Sequence, residues 1–280
     1  MAPLGIIAGL GELPVAIADN AMETGQGAYV LRLKGFEDPA LARFPGEVVG
    51  LGEVGGILKR LKAAGCEDVV FAGIVKRPDF GNLKLDMKGV RLLPKVLAAA
   101  RKGDDALLRV LVSEFEKQGF RVLGSHEVHG QLLAPSGVIA GNMPSDEQMA
   151  DIEHAARVAS ATGAMDIGQG AVVCRGLVLA VEAQEGTDAM LERCRTLPEE
   201  IRGTPANRQG VLVKRPKPGQ ELRIDLPTTG VSTVERVAAA GLAGLAIEAG
   251  GALLLNRREM IDRAEELGVF IYGFPPETGQ

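Results

Sequence analysis

The stretch LGIIAGLGELPVAIADNAM, residues 4–22, decides the fold of the first half of the chain. Its first five residues are apolar apart from one glycine, which is typical of a strand that is buried on both faces. Gly9 to Pro14 then predicts a tight turn into a helix, because a proline in the first helical turn loses nothing by lacking an N–H. A buried strand, a glycine turn and a helix in this order begin a parallel α/β sheet.

The same alternation continues to about residue 123. We predict strands at residues 4–8, 28–33, 68–74 and 121–123, and helices at 13–22, 54–64, 90–101 and 105–118. Alternating strands and helices indicate a mainly parallel sheet covered by helices. The first half is therefore predicted to be a Rossmann-like domain, residues 1–132.

The second half of the chain has a different pattern. A Gly/Pro-rich stretch at residues 125–144 is interpreted as the connection between domains. Residues 171–174 and 177–181 predict a hairpin that turns at Arg175-Gly176, and further strands at 211–213, 245–247 and 269–272 alternate with helices. Because 280 residues exceed the usual size of one domain, we expect a second α/β domain with a mixed sheet, residues 133–280.

The bulk composition excludes several classes of protein. A net charge of -5 argues against a protein that coats nucleic acid, which needs a surplus of Lys and Arg. The 3 cysteines form no CxxC pair, and this use of cysteine is typical of proteins in a reducing compartment. The start has no basic region before its apolar residues, and Glu248 interrupts the most apolar window, so we expect neither a secretory signal nor a membrane span. These features predict a cytoplasmic protein and leave contact with a membrane surface open.

The glycine turn after the first strand is a candidate phosphate or sugar site, since the N–H groups of a helix N-terminus can hold an anion. Its candidate contacts are Gly9, Gly11, Glu12 and Leu13. The match to G-x-G-x-x-G is incomplete, and residues 31–34 lack the acid that a ribose hydroxyl needs, so NAD binding is not expected. The alternative is a turn with no ligand. Lys76 and Arg77 follow a later strand and are either anion contacts or ordinary surface residues.

Acids and amides are concentrated in the second half. Gln169 follows Asp166, and Glu185, Gly186, Thr187 and Asp188 lie between a predicted strand and helix. Carboxylates in such a turn are hard oxygen ligands that suit Mg²⁺, which takes one or two of them together with substrate phosphates and water. The alternative is that Thr187 or Asp188 caps the helix and that Glu185 is solvated.

Residues 214–230, KRPKPGQELRIDLPTTG, form the densest polar segment. In extended geometry Arg223 and Asp225 would share one face. Lys214 and Lys217 add positive charge, and Thr228 and Thr229 precede a further predicted helix. Basic groups that bind phosphate oxygens, beside an acid that binds metal or orients water, are what phosphoryl hydrolysis needs. The alternative is a surface ion pair between Arg223 and Asp225. Asp104 in the first half is a candidate contact or a helix cap.

Four motifs together resemble one family. They are G-x-G-x-L-P at residues 9–14, Gly103-Asp104-Asp105, V-E-A-Q-E-G-T-D at 181–188, and K-P-G-Q-x-x-R-x-D-x-P at 217–227. The chain resembles the UDP-2,3-diacylglucosamine pyrophosphatases of lipid A biosynthesis, in the lineage that is unrelated to calcineurin-like metallophosphoesterases. The resemblance implies Mg²⁺-dependent hydrolysis to UMP and 2,3-diacylglucosamine 1-phosphate (lipid X), by attack of water on the phosphate nearer the sugar. It also implies two domains with the ligand between them, and an apolar cavity for the acyl chains.

The hypothesis gives each candidate residue a role. Mg²⁺ would be held by Asp225 with Asp188 or Glu185, while Lys214, Lys217 or Arg223 neutralises charge on the bridging oxygen. Substrate contacts are expected from Gly9, Gly11, Glu12, Leu13, Lys76, Asp104, Gln169, Gly186, Thr187, Thr228 and Thr229. The expected partners are the UDP-linked diacylated glucosamine and, transiently, the cytoplasmic face of the inner membrane. The alternative is a carrier that binds a nucleotide sugar or lipid without chemistry.

Overall fold

The computed structural model describes residues 1–76 and 79–276. The chain divides into two compact units. The first comprises Met1–Gln131 together with Glu221–Asp225, and the second comprises Leu132–Gln220 and the chain from Leu226 onward. The short segment Glu221–Asp225 therefore belongs to the first unit, although it lies far along the sequence.

The first unit contains a five-stranded parallel sheet in the order β3-β2-β1-β4-β5. Its strands are β1 (Leu4–Ala8), β2 (Ala28–Leu33), β3 (Gly46–Val49), β4 (Asp68–Ala72) and β5 (Arg121–Leu123). Its helices are α1 (Glu12–Glu23), α2 (Val54–Ala63), α3 (Met87–Ala100), α4 (Asp104–Lys117) and α5 (Ser125–Val128), with a 3₁₀ turn at Pro39–Arg43. The predicted α/β class with a parallel sheet is confirmed. The sequence did not predict β3.

The strand order of this sheet changes direction at β1, between β1 and β4. Strands β2 and β3 extend the sheet to one side of β1, and β4 and β5 extend it to the other. In open α/β sheets, ligands collect beyond the carboxyl ends of strands at such a reversal. The core on one face joins Leu31 and Val69 of the strands to Leu61 of α2 and Phe115 of α4.

The second unit is built on a six-stranded mixed sheet in the order β6-β13-β11-β9-β7-β8. Its strands are β6 (Gly137–Ala140), β7 (Gly170–Cys174), β8 (Leu177–Val181), β9 (Val211–Lys214), β11 (Gly244–Glu248) and β13 (Phe270–Phe274), and β10 (Thr228–Thr229) pairs separately with β12 (Leu253–Leu254). Its helices are α6 (Asp146–Ala164), α7 (Gly186–Arg195), α8 (Val231–Ala239) and α9 (Arg257–Leu267), and a 3₁₀ turn at Gly130–Leu132 precedes the unit. The predicted mixed sheet is confirmed.

Helices cover both faces of the mixed sheet, and side chains alternate between these faces along each strand. One face packs Val173 and Val211 against Ile152 and Ala155 of α6. The other face packs strand residues such as Val172 and Leu212 against the helices α7, α8 and α9. A functional group at the end of a strand therefore belongs to one of two distinct environments.

Local predictions in the second half had different outcomes. The hairpin turn is confirmed, since Arg175 and Gly176 join β7 to β8 with φ of 51° and 78°. Residues 125–144, interpreted as the connection between domains, include the division between the two units at residues 131 and 132, but they are not irregular. That stretch contains α5 and β6, and β6 adds an antiparallel edge strand beside β13. Glycines and prolines in this stretch obscured the pattern of a short strand, which is stabilised by pairing with the neighbouring strand β13.

All 3 cysteines are free and buried. Burial raises the pKa of the Cys66 thiol and of the Cys194 thiol to about 11, because the thiolate loses its hydration. These cysteines are therefore apolar core residues. Among the residues described, no helix has the length and apolarity needed to cross a bilayer.

Candidate active site at the carboxyl edge of the mixed sheet

One edge of the mixed sheet gathers polar residues from several strands. β9 and β11 run parallel and end there, whereas β7 runs antiparallel to β9 and begins there. β8 is antiparallel to β7, so it also ends at this edge. The residues that the chain brings together in this way are Gln169, Gly170, Glu182, Lys214, Arg215 and Glu248. We call this set the carboxyl edge.

Glu182 directly follows β8 and is only 6% exposed. Its Oε1 accepts a hydrogen bond of 2.7 Å from the Thr187 hydroxyl, whereas its Oε2 is buried and accepts none from the described residues. Gly170 makes room for the carboxylate, because a Cβ on that residue would lie 2.7 Å from Oε2. A buried carboxylate oxygen without a donor is costly to folding, and such costs concentrate at functional sites.

Lys214 lies on the same face of the sheet as Glu182, because it pairs directly with Gly170 on the neighbouring strand. The lysine is 5% exposed, and its Nζ donates to the Thr228 carbonyl at 3.1 Å. This contact links the end of β9 to the segment that precedes α8. Thr229 in that segment is 1% exposed, and its hydroxyl has no hydrogen-bond partner among the described residues.

Two helices begin at this part of the edge. α7 starts at Gly186, and Thr187 in its first turn is bonded to Glu182. α8 starts directly after the Thr228–Thr229 strand and Gly230. Neither helix receives a hydrogen bond from the side chain of its N-cap residue. Open N–H groups at helix N-termini, together with a buried ammonium group, are what binds phosphate oxygens.

The opposite face of the same edge carries a second set of charges, beside α6. The Arg215 guanidinium is buried, forms an ion pair of 2.8 Å with Glu248 and donates to the Ala156 carbonyl at 3.3 Å. Lys217 forms an ion pair of 2.6 Å with Asp166. Gln169 also belongs to this face by strand alternation, and its Oε1 is buried without a partner among the described residues. Arg215 and Glu248 therefore tie the ends of β9 and β11 together.

The predicted metal ligands Glu185 and Asp188 lie at the surface of the second unit. Glu185 forms an ion pair of 2.9 Å with Arg193, and Asp188 one of 3.1 Å with Arg236. Hydrogen bonds from its own backbone N–H and then from Arg193 lower the pKa of Glu185. Within residues 1–76 and 79–276, no group of three or more His, Cys, Asp or Glu side chains is arranged to hold a metal ion.

The segment around Asp225 does not have the predicted geometry. Residues 222–224 form a turn rather than an extended strand, and the N–H of Asp225 donates to the Glu221 carbonyl at 3.2 Å. The alternation that placed Arg223 and Asp225 on one face is therefore wrong. The reason is that the glycine and prolines before this segment favour a turn, and a strand periodicity applied to five residues cannot exclude one.

Arg223 is occupied within the first unit. Its guanidinium bonds to Glu221 at 2.8 Å and to Glu116 at 2.7 Å. The N–H of Glu221 donates to Asp105 at 2.6 Å, so the segment is fastened to α4. The bonds from Arg223 lower the pKa of the Glu221 carboxyl below its ordinary value. This network identifies Arg223 as a residue that anchors its segment.

The glycine turn of the first unit has the predicted shape. Leu10 and Ile74 exchange two backbone hydrogen bonds of 3.0 and 2.8 Å, and a Cβ on Gly9 would lie 2.5 Å from the Ile74 carbonyl oxygen. Gly11 has φ of 100° and precedes α1 without capping it by a side chain. Close approach and positive φ thus explain these glycines without a ligand, and the uncapped start of α1 leaves the anion interpretation open.

Four further candidates in the first unit lie near helix starts or loops. Glu12 is exposed and Leu13 is half-buried in the first turn of α1. Lys76 is exposed in the segment after β4, and Arg77 lies outside the described residues. Asp104 is the first residue of α4, where a carboxylate stabilises the helix dipole.

Comparison with known proteins agrees with this two-part organisation. The family model described as the LpxI N-terminal domain matches residues 3–132, and the model described as the LpxI C-terminal domain matches residues 135–272. The chain belongs to the LpxI family. It is 54% identical over 277 residues to the UDP-2,3-diacylglucosamine pyrophosphatase LpxI of Caulobacter vibrioides. The matched region covers 99% of this chain and 99% of that protein. The family expected from the four motifs is thus confirmed.

The chain also contains buried site residues to which the sequence assigned no role. Glu182 lies in the V-E-A-Q-E-G-T-D motif but received no role of its own. It directly follows a strand, as Arg215 does, and Glu248 ends one. The available signal was positional, because charged residues at the carboxyl ends of parallel strands often face a ligand. Which carboxyl ends share one edge depends on strand order, and strand order is not visible in the sequence.

Proposed function

We propose that this chain hydrolyses the pyrophosphate of UDP-2,3-diacylglucosamine to UMP and 2,3-diacylglucosamine 1-phosphate, with Mg²⁺ as cofactor. The observation that carries the proposal is the placement of buried Lys214 and buried Glu182 on one face of the carboxyl edge, beside two uncapped helix N-termini. The relative from Caulobacter vibrioides, 54% identical, bears the name of this activity. The named substrate contains the pyrophosphate that such an edge would bind.

Phosphate binding is the task that suits the edge best. The Lys214 ammonium group supplies positive charge in a site that excludes water, where a charge interaction is stronger than in bulk solvent. The N–H groups at the start of α7 and α8 add partial positive charge. The Thr229 hydroxyl, which has no partner among the described residues, can donate to a phosphate oxygen. Together these groups would orient the pyrophosphate and stabilise the negative charge that develops as it breaks.

The described residues fit Mg²⁺ in one respect. Glu182 offers a buried carboxylate oxygen, Oε2, that accepts no hydrogen bond from the described residues, and Mg²⁺ typically takes one or two carboxylates and completes its shell with phosphates and water. When bound, the ion would supply charge neutralisation at the phosphates and a more acidic bound water. Asp225, Asp188 and Glu185 stay predicted ligands, of which Asp188 and Glu185 already have arginine partners.

For the reaction to balance, one proton of the attacking water must be accepted, and we propose that a group of this chain accepts it. A water oxygen bonds to the phosphorus nearer the sugar, the bond from that phosphorus to the bridging oxygen breaks, and the bridging oxygen leaves with UMP. The attacking water must lose a proton. Glu182 Oε2 on the Lys214 face would have one of two roles: it accepts this proton, or it holds the ion, which makes a bound water more acidic. Lys214 would neutralise the charge on the departing oxygen.

The substrate also determines where the protein works. A glucosamine with two acyl chains belongs to a bilayer surface, whereas its UDP group requires water. We therefore propose a protein of the cytoplasm that meets the inner membrane transiently. The family membership supports this location through the acylated substrate named for the relative.

The test is incubation of the purified chain with UDP-2,3-diacylglucosamine and Mg²⁺, with UMP measured by chromatography. Release of UMP that stops on adding EDTA and resumes with excess Mg²⁺ would support the proposal. Tight binding of intact substrate without UMP would support a non-catalytic carrier instead. Release of UMP that is insensitive to EDTA would refute the role of the metal and leave the hydrolysis standing.

A further inference from the structure

Helix α3 carries an exposed apolar stripe. Met87 is 70% exposed, Val90 52% and Leu97 38%, and Pro94 between them is also exposed. Their spacing of three and four residues places all four on one side of the helix. The buried side, with Leu92 and Val96 among its residues, packs into the core of the first unit. Exposed apolar residues that follow helical spacing mark a surface that meets another apolar medium.

Positive charge borders this stripe. Arg91 and Lys95 are exposed and occupy the adjacent row of the helix surface, four residues apart. From residue 80 to residue 103 the sequence has basic side chains at 84, 88, 91, 95, 101 and 102 and a single acid at 86. Six basic groups less one acid give a local charge of +5 in a chain whose net charge is -5.

The acids near this helix are engaged away from the stripe. Asp86 caps α3 by accepting from the Gly89 N–H at 2.8 Å and also accepts from the Gly56 N–H at 2.8 Å. Glu114 of α4 pairs with Lys88 at 2.9 Å. The residues 87–100 contain no Asp or Glu. The exposed face of α3 therefore presents apolar and cationic groups only.

We propose that α3 is a docking surface for an anionic lipid bilayer. A helix with apolar residues on one side and Lys or Arg beside them lies in the plane of a membrane interface, with the apolar side among the acyl chains. Charge complementarity favours the anionic bilayer over a neutral one, because each basic group near the surface adds about fivefold to binding. The short stripe and few cations give reversible binding, which suits an enzyme that must leave and return.

The experiment is flotation of the full chain with vesicles of phosphatidylethanolamine and phosphatidylglycerol, and with vesicles of phosphatidylcholine alone. The wild-type chain is expected to float with the anionic vesicles at low ionic strength, to be released by salt, and to stay with the soluble fraction when the vesicles are neutral. Val90→Glu/Leu97→Glu is expected to lower binding at least tenfold. Arg91→Glu/Lys95→Glu is expected to lower it by more than tenfold through charge alone.

The matched control is Val48→Glu/Met143→Glu, which adds the same charge at apolar residues that are 48% and 62% exposed elsewhere. Circular dichroism verifies that all variants fold. Equal flotation of the stripe variants and the control would overturn the proposal, as would failure of the wild type to float. Self-association of the wild type that Val90→Glu/Leu97→Glu abolishes would also overturn it, by making the stripe a contact between copies. The assay contains no substrate, so its failure is distinct from a failure of the proposed hydrolysis.

Discussion

Replacing Glu182 by glutamine should affect the stability of the second unit and the rate of hydrolysis differently. The amide oxygen can still accept from Thr187, as Oε1 does at 2.7 Å, but the NH₂ group takes the place of the unpartnered Oε2. An ionised buried carboxylate costs several kcal/mol of desolvation, whereas an unpaired buried amide costs about 1–3 kcal/mol. Subtracting the second cost from the first leaves a gain of between about zero and a few kcal/mol, so the Tm should stay the same or rise.

Turnover of Glu182→Gln should move in the opposite direction. Loss of a group that accepts the proton of the attacking water, or holds the metal, lowers kcat by roughly 10² to 10⁴. Calorimetry gives Tm, and UMP release gives kcat. The matched control is Glu192→Gln on α7, where the carboxylate is exposed and pairs with Arg195 at 2.6 Å. That variant should change stability by less than about 0.5 kcal/mol and leave turnover unaltered. Near-normal turnover of Glu182→Gln, or a Tm several degrees lower, would refute the assignment.

Further predictions concern the remaining charged groups. Lys214→Met should lower kcat/KM by roughly 10² to 10³, as for removal of one preorganised donor, and an unaltered value in steady-state kinetics would contradict its phosphate role. Asp225→Ala should lower kcat by roughly 10² to 10⁴ if Asp225 holds metal or water, and a folded variant with ordinary turnover would end that assignment. Arg223→Ala should act on stability more than on chemistry, costing up to about 1 kcal/mol because the pair is partly exposed. Because the pKa of Glu221 is lowered in the folded chain, this pair stabilises above the ordinary carboxyl value of 4.5 and loses its effect as pH falls through the lowered one. The stability difference between wild type and Arg223→Ala, measured by urea unfolding, should therefore shrink on acidification below about pH 4.5, and a difference that grows would contradict the pairing.

Local patterns in the sequence predicted most of the fold. The strands at residues 4–8, 28–33 and 121–123 have the predicted bounds, because short, mainly apolar runs next to glycine or charge leave little choice of structure. The edge strand β6 was not predicted, because Val138 is 45% exposed and the strand has few buried apolar residues of its own. Short edge strands are stabilised mainly by their neighbour, which a local pattern cannot reveal.

The sequence predicted several residues of the candidate site, but it predicted little of how they are arranged in space. Lys214 and Gln169 were chosen from the sequence and belong to the carboxyl edge. Thr187 and Thr228 were also chosen and bond to Glu182 and Lys214 of that edge, and Thr229 follows Thr228 in β10. Glu182 was not chosen, because its significance depends on the burial of one oxygen and on Gly170 making room for it. The turn at residues 222–224 closes with local hydrogen bonds to the Glu221 carbonyl. It was missed because Glu221 is anchored on Asp105 of α4, a contact between distant parts of the sequence.

The most direct test of the proposed reaction is hydrolysis of UDP-2,3-diacylglucosamine by the purified chain in ¹⁸O-labelled water with Mg²⁺, with both products analysed by mass spectrometry. Attack on the phosphorus nearer the sugar predicts unlabelled UMP and one labelled oxygen in 2,3-diacylglucosamine 1-phosphate. Label in UMP would contradict the proposed point of attack. Intact substrate recovered from a stable complex would contradict the hydrolysis itself.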